Sequence, residues 1–370
     1  MTSSNQSMQK TDVNLFDGEE AKAWIKAQAL ALGFSDCVIA RPDAQHEIPR
    51  LKEYLKRGYH ADMNFLTENL DKRADPRLLV AHTQSIICVR MNYLVETPKP
   101  RNIPDLPNQG IIARYARGRD YHKVLRGRLK ILAHKIKERY GEFESRPFAD
   151  SAPIFEKSLA ESAGMGWTGK HTLLIHKKAG SFFVLGELFT SLTLPFDTAT
   201  TQHCGSCHAC LDICPTGAIV EPYMLDARKC IAYLTIEYKG IIPEELRKPI
   251  GNRIFGCDDC QLICPWNRFA QKTTVEDFYP RHQLDQLTLL ELWQWDENHF
   301  LNKTEGSPIR RTGYQSFMRN IAIGLGNAAY SSLIILKLQA RREQHDEIVQ
   351  VHIDWAIQQQ RSKAPIMVSE

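Results

Sequence analysis

Apolar residues recur three and four apart from about Gly18 to Leu32, and the chain then enters a short unbroken apolar run, "CVIAR". The first pattern predicts an amphipathic helix and the second a buried strand. "SIICVRMNYL" and "IIARYA" read as further strands, with helical spacing near Pro49 to Arg57 and from Tyr121 to Tyr140 between them. This alternation predicts an α/β sandwich. In "DSAPIFEKSLAESAG", Asp150 or Ser151 is placed to cap a helix that has Pro153 in its first turn. Gly164, Gly166 and Gly169 follow, in a backbone that must bend sharply or approach a ligand closely, and "TLLIH" and "FFVLGELF" complete the region as strands. Beyond Asn267, "LTLLELWQW", "IRRTGYQSFMRNIAIGLGNA", "SSLIILKLQARR" and "DEIVQVHIDWAIQQQ" all have helical spacing with short breaks, as stacked antiparallel helices do. The chain therefore divides into an unpatterned, disordered start (1–16), an α/β domain (17–200), a cysteine-rich insert (201–268) and an all-α tail (269–370).

The insert changes the picture most. In "HCGSCHACLDICPTGAI", Cys204, Cys207, Cys210 and Cys214 follow the C-x2-C-x2-C-x3-C-P spacing of a bacterial iron–sulfur loop. In two-cluster ferredoxins the fourth cysteine of such a run ligates the other cluster, so a partner run is required. It is found in "GCDDCQLICPW", where Cys257, Cys260 and Cys264 stand one cysteine short. Of the ten cysteines, only Cys230 lies between the runs. Exchanging the last cysteines gives one [4Fe–4S] set of Cys204, Cys207, Cys210 and Cys264 and another of Cys214, Cys230, Cys257 and Cys260. Zinc also accepts paired C-x2-C, and secreted chains pair cysteines as disulfides. Neither alternative explains a Cys-Pro ending on both runs. Cys37 and Cys88, in apolar "DCVIA" and "SIICVRM", read as buried core thiols.

Composition adds limits. At 370 residues, 43% hydrophobic and 24% charged, the chain reads as an ordinary globular protein of two or three domains. No run approaches the ~20 apolar residues of a membrane span, and the first residues show neither a basic-then-apolar signal nor twin arginines. A cytoplasmic protein is expected, in a compartment where thiols stay reduced. The net charge is only +4, yet from Arg101 to Tyr140 there are eleven Lys or Arg against three acids. A helix over Tyr121–Tyr140 would place Leu125, Leu129, Leu132 and Ile136 on one face and the cations on the other, as a solvated face or as a track for phosphates. In the tail, Arg310, Arg311 and Arg319 accompany Tyr314 on what reads as one long helix. Guanidinium groups with an aromatic ring suit RNA, and they equally suit the solvated side of a packed helix.

Taken together, "RYARGRDYH", "RPFADSAPIFEKSLAESAGMGWTGKHTLLI", the paired cysteine runs and "SPIRRTGYQSFMRNIAIGLGN" resemble, in order and over roughly residues 20 to 330, the cobalamin-dependent epoxyqueuosine reductases of tRNA modification. The resemblance implies reduction of epoxyqueuosine to queuosine at the wobble position of tRNAs for Tyr, His, Asp and Asn. It implies an α/β domain holding base-off cobalamin, an inserted ferredoxin-like two-cluster module, and C-terminal HEAT-like repeats that grip the anticodon stem-loop. A flavodoxin- or ferredoxin-like one-electron donor and a monomeric state come with it.

The family's acid matches Asp150 in "FADSAP", and cobalamin contacts are implied at Arg73, Ala113, Asp150, Gly169, Lys170, Asp258 and Asp259. The tail contacts to tRNA would fall on Arg310, Arg311, Tyr314 and Arg319. A carboxylic acid that protonates an opening epoxide near neutral pH needs a raised pKa, which burial against the corrin would supply. Two other readings compete. A reductive dehalogenase also pairs cobalamin with two clusters, but such enzymes usually carry the export signal that is missing here. A non-catalytic ferredoxin-type carrier would leave the preceding domain and the basic segment without a role.

Overall fold

The computed structural model describes residues 17–96 and 106–365. The start expected to be disordered, and Arg101 and Asp105 of the basic segment, lie outside the described residues. Four strands, β1 (Asp36–Ala40), β2 (Ser85–Asn92), β3 (Ser145–Phe148) and β4 (Phe183–Thr190), form one sheet in the order β1-β2-β4-β3, with every neighbouring pair antiparallel. All eight residues of β2 are buried. A strand covered on both faces has no polar side to show, which is why Ile86–Val89 is an unbroken apolar run rather than an alternating one.

The two faces are covered by different helices. Helix α1 (Gly18–Ala31) and helix α2 (Tyr121–Tyr140) bury Ile25, Leu125, Leu129, Leu132 and Ile136 against Ile39, Ile87, Val89 and Leu188 of the sheet. Helix α3 (Glu156–Ser162) covers the other face, with Leu159 and Ala160 against Val38, Ile86, Cys88 and Phe189. The expected α/β layering is therefore present, built on antiparallel ladders. Fully burying each of these aliphatic side chains contributes about 1.5–3 kcal/mol. Cys37 and Cys88 are core thiols, at 3% and 0% exposure.

Two local expectations change. Only Ile111–Ile112 of "IIARYA" is a strand, and it pairs in parallel with Arg253–Phe255 of the cysteine-rich region. Helix α3 starts at Glu156, several residues after the expected cap, with no side-chain cap at its N-terminus. Asp150 instead stands at φ +45° in a loop ahead of it. A non-glycine residue in the left-handed region stores strain, and such residues concentrate at functional sites.

The cysteine-rich region is joined to both neighbours. Helix α4 (Ile231–Ile236) buries Ile231 and Leu234 in one core with Phe317 and Ile321 of α5 (Tyr314–Asn327) and with Ile353 and Ala356 of α7 (Glu347–Ser362), and α6 (Ser332–Arg341) adds Leu338 to it. Helices α5 and α7 cross closely at Gly326, where an added Cβ would lie 2.5 Å from the Trp355 ring. Among the described residues, no helix is long and apolar enough to cross a membrane.

This shared core corrects two of the tail positions expected to meet RNA. Arg319 is fully buried. Its guanidinium donates to the carbonyls of Leu234, Tyr238 and Gly240 at 2.6, 2.9 and 2.9 Å and to the Asn320 side chain, so it fastens the tail to the cysteine-rich region. Tyr314 is half-buried, donating its hydroxyl proton to Trp295 O at 2.9 Å and accepting from Arg341 at 3.0 Å. Arg310 and Arg311 are exposed, but they occupy a single 3-10 turn, Pro308–Thr312, ahead of α5.

Candidate active site

Asp120 begins the site. Its carboxylate caps α2 by accepting from the His122 backbone N–H at 3.1 Å, and the same oxygen lies 2.7 Å from His122 Nδ1. The other ring nitrogen, Nε2, faces Asp150 Oδ2 at 3.7 Å. An imidazole with a carboxylate at each nitrogen is held as the imidazolium, because both positions call for N–H. Burial works against that charge, yet the Asp120 hydrogen bond, with Asp150 close by, outweighs it and lifts the ring to about 9. Tyr121, stacked on His122 at 4.1 Å, donates its hydroxyl proton to Asp150.

Asp150 itself departs from expectation. Burial pushes its pKa up, but hydrogen bonds from His122 and Tyr121 and the charge of Arg311 hold it below the ordinary carboxylate range. At neutral pH the proton of the pair therefore resides on His122, not on the carboxyl. The reason is the neighbour, since an adjacent cation outweighs desolvation at a side chain that remains 58% exposed. Behind it, Glu156 accepts from the Asp150 backbone N–H at 2.5 Å. Burial beside Asp150 brings Glu156 to about 7, and Glu187, buried against Glu156, is pushed well up.

This group opens onto a cavity of about 890 Å³ whose wall includes Arg73, Tyr115, Asp150, Phe255 and Arg311. Arg73 is 6% exposed and donates to Phe65 O at 3.0 Å, while its Nε has no partner among the described residues. A buried guanidinium nitrogen left open on a cavity wall is a donor awaiting an acceptor. The wall also includes Tyr54 and Ile236, and Cys230 lies near the Tyr54 hydroxyl.

A second, smaller cavity of about 220 Å³ is lined by Cys204, Cys207, Cys210 and Cys264, with Lys170, His203 and Trp266. The remaining four cysteines gather next to it. Burial pushes the Cys260 thiol well up, and Cys257, Cys230, Cys210 and Cys214 add to the effect as neighbours. Cys210 of the first set thus lies close to Cys260 of the second, so the two groups of four adjoin.

Of the seven implied cofactor positions, the large cavity wall contains Arg73 and Asp150. The other five lie off it, each for a visible reason. Lys170 donates to the carbonyls of Gly205 and Cys207 at 2.7 and 2.8 Å and so clamps the first cysteine loop. Gly169 is packed where a Cβ would stand 2.5 Å from Ile175, and Ala113 is 2% exposed, its N–H bound to Phe255 O. Asp258 pairs with Arg114 at 2.9 Å, and Asp259 with Arg253. Sequence reasoning missed Tyr121, His122 and Glu156. The signal was in "RGRDYH", where an acid, a tyrosine and a histidine are consecutive at a helix start.

Residues 203–267 match the model of a 4Fe-4S double cluster binding domain, and residues 73–151 that of epoxyqueuosine reductase QueG, DUF1730. The chain is 50% identical over 334 residues to the epoxyqueuosine reductase of Pseudomonas aeruginosa, covering 90% of this chain and 92% of that protein. Among solved structures, an epoxyqueuosine reductase with a tRNA-Tyr epoxyqueuosine-modified stem loop aligns with TM-score 0.79 at 25% identity, over 93% of this chain and all of the other. The Bacillus subtilis enzyme, solved with its aspartate-bearing catalytic loop swung out of the active site, aligns with TM-score 0.78 at 26% identity and the same coverage. With half of its residues shared over nine tenths of its length, the chain belongs to the epoxyqueuosine reductase family of oxidoreductases.

Proposed function

We propose that this chain removes the epoxide oxygen of epoxyqueuosine in tRNA, consuming two electrons and two protons and releasing water to leave the alkene of queuosine. The observation that carries the reading is the Asp120–His122–Asp150 array with Tyr121, held at the mouth of the large cavity by a left-handed backbone at Asp150.

The cavity suits base-off cobalamin, with Arg73 Nε as a donor to its polar side groups. Each set of four cysteines suits one [4Fe–4S] cluster, since iron binds four thiolates and holds them deprotonated. Bound there, cobalamin would supply a strongly reducing, nucleophilic cobalt, and clusters on the two cysteine sets would supply one-electron chemistry fed by an external flavodoxin- or ferredoxin-like donor.

The protein's own task is the proton. Tyr121 and Glu156 orient Asp150, while His122 stores a proton within reach of its carboxylate. As negative charge develops on the epoxide oxygen, the proton held on His122 passes through the Asp150 carboxylate to that oxygen. The swung-out aspartate loop of the Bacillus subtilis relative supports a mobile Asp150 loop that admits the modified nucleoside. Arg310 and Arg311 are placed for tRNA contact, Arg311 on the cavity wall itself, and the tail helices form the HEAT-like platform for the stem-loop. The tRNA-bound relative supports this assignment.

The test is anaerobic incubation of cluster-reconstituted protein with cobalamin, a reductant and epoxyqueuosine-bearing RNA, followed by nucleoside mass analysis. Loss of one oxygen atom is expected, and an unchanged mass would overturn the proposal.

A further inference from the structure

Six of the seven Lys and Arg side chains of α2 fall into two groups; the seventh, Lys135, has no ion pair among the described residues and lies off the groove that follows. Arg128, Lys137 and Arg139 are ion-paired, to Asp277, Glu142 and Glu20. Lys123, Arg126 and Lys130 form no such pair among the described residues, and the carboxylate that Lys123 does feel, Asp120, is committed to His122. Lys123, Arg126 and Lys130 share a feature that the three paired cations lack: they line an open groove of about 770 Å³, and Arg146 of β3, which forms no ion pair among the described residues, enters the same groove from the sheet.

The position of this groove gives it a function. Its far wall is the loop Ser151–Pro153, and those residues also line the large cavity, so the groove and the cavity are separated only by the Asp150 loop. Lys123 and Lys130 are two turns apart on α2, about 10 Å along the axis. That span faces at least two successive phosphates of a nucleic-acid strand. We propose that the groove holds the phosphodiester backbone of the anticodon-loop strand adjoining the modified nucleoside, with Lys123, Arg126, Lys130 and Arg146 on its phosphates. The inference rests on the tRNA reading above and deepens it. It places the strand against the basic face of α2 as well as on the C-terminal helices, so that the nucleoside reaches the cavity across the loop that carries the acid.

The test is the triple variant Lys123→Gln/Lys130→Gln/Arg146→Gln. Arg126 is left intact because its Nε donates to His122 O at 3.1 Å, and its loss would disturb the active site. Affinity for a synthetic anticodon stem-loop RNA is measured by fluorescence anisotropy over a series of salt concentrations, with cobalamin binding as the check on the fold. Each phosphate contact contributes about 0.7 to the slope of log affinity against log salt for a single strand. Three lost contacts should make the slope shallower by about two and weaken low-salt binding at least tenfold, with cobalamin binding unchanged. Wild-type affinity and slope in the variant would overturn the groove while leaving the tRNA reading intact. Weakening with an unchanged slope would also overturn it, and failure of the wild type itself to bind the hairpin would overturn both readings.

Discussion

Replacing Asp120 by Asn tests the proton store without touching substrate or cofactor. Asn keeps the shape and the capping oxygen, so the start of α2 should lose less than about 1 kcal/mol. What it removes is the charge 2.7 Å from His122 Nδ1. The imidazole lies at about 9 against 6.5, a difference of roughly 3 kcal/mol that Asp120 and Asp150 together sustain against burial. Asp120 is the nearer of the two, at 2.7 against 3.7 Å, and should account for about one to two pKa units. The sign follows from the raised value. His122 is charged at and below neutral pH and loses its proton as pH rises through about 9, so the wild-type rate should hold to that point and then fall. The other groups facing the ring, Asp150, Tyr121 and Glu156, are unchanged in the variant. The assay is the single-turnover rate of epoxide reduction between about pH 6 and 10, with wild type and variant at matched cofactor loading. In Asp120→Asn the alkaline limb should move down by about one to two units. A limb that coincides with wild type would refute His122 as the proton store.

Two further changes probe the frame. Cys230→Ser should remove one cluster and spare the other, so iron falls from about eight to about four atoms per chain. Retention of about eight would show that the second set is completed by another residue. Arg319→Met should leave the carbonyls of Leu234, Tyr238 and Gly240 without their donor, at about 1–3 kcal/mol each, and so lower the melting temperature by several degrees. RNA affinity of the folded protein should be unchanged. Weaker RNA binding with an unaltered melting temperature would return Arg319 to the RNA face.

The contrast between Cys230 and Arg319 shows what can be read from sequence. Cluster ligands come as local spacings with a fixed count, so even Cys230, outside both runs, can be proposed as a ligand by elimination. An arginine on an apolar helix carries no such count. Its burial depends on carbonyls more than seventy residues away, and helical periodicity reports nothing of them. The sandwich is legible for the same local reason, since β2 carries the apolar run Ile86–Val89 and α2 keeps its stripe. That Ile111–Ile112 pairs with Arg253–Phe255 was not, because the pairing depends on how the insert folds back. At the active site, Asp150 is identifiable through resemblance, whereas its depressed pKa arises from His122, a residue 28 positions earlier that only the fold brings alongside.

The central claim is that Asp150, supplied with its proton by His122 at the mouth of the large cavity, protonates the opening epoxide. The most direct test is single-turnover deoxygenation of epoxyqueuosine-bearing RNA by Asp150→Asn, with cobalamin and iron content matched to wild type and the nucleoside followed by mass. The account predicts that the variant binds RNA and both kinds of cofactor but loses oxygen from the nucleoside about a hundredfold or more slowly. A rate close to wild type at equal loading would contradict it.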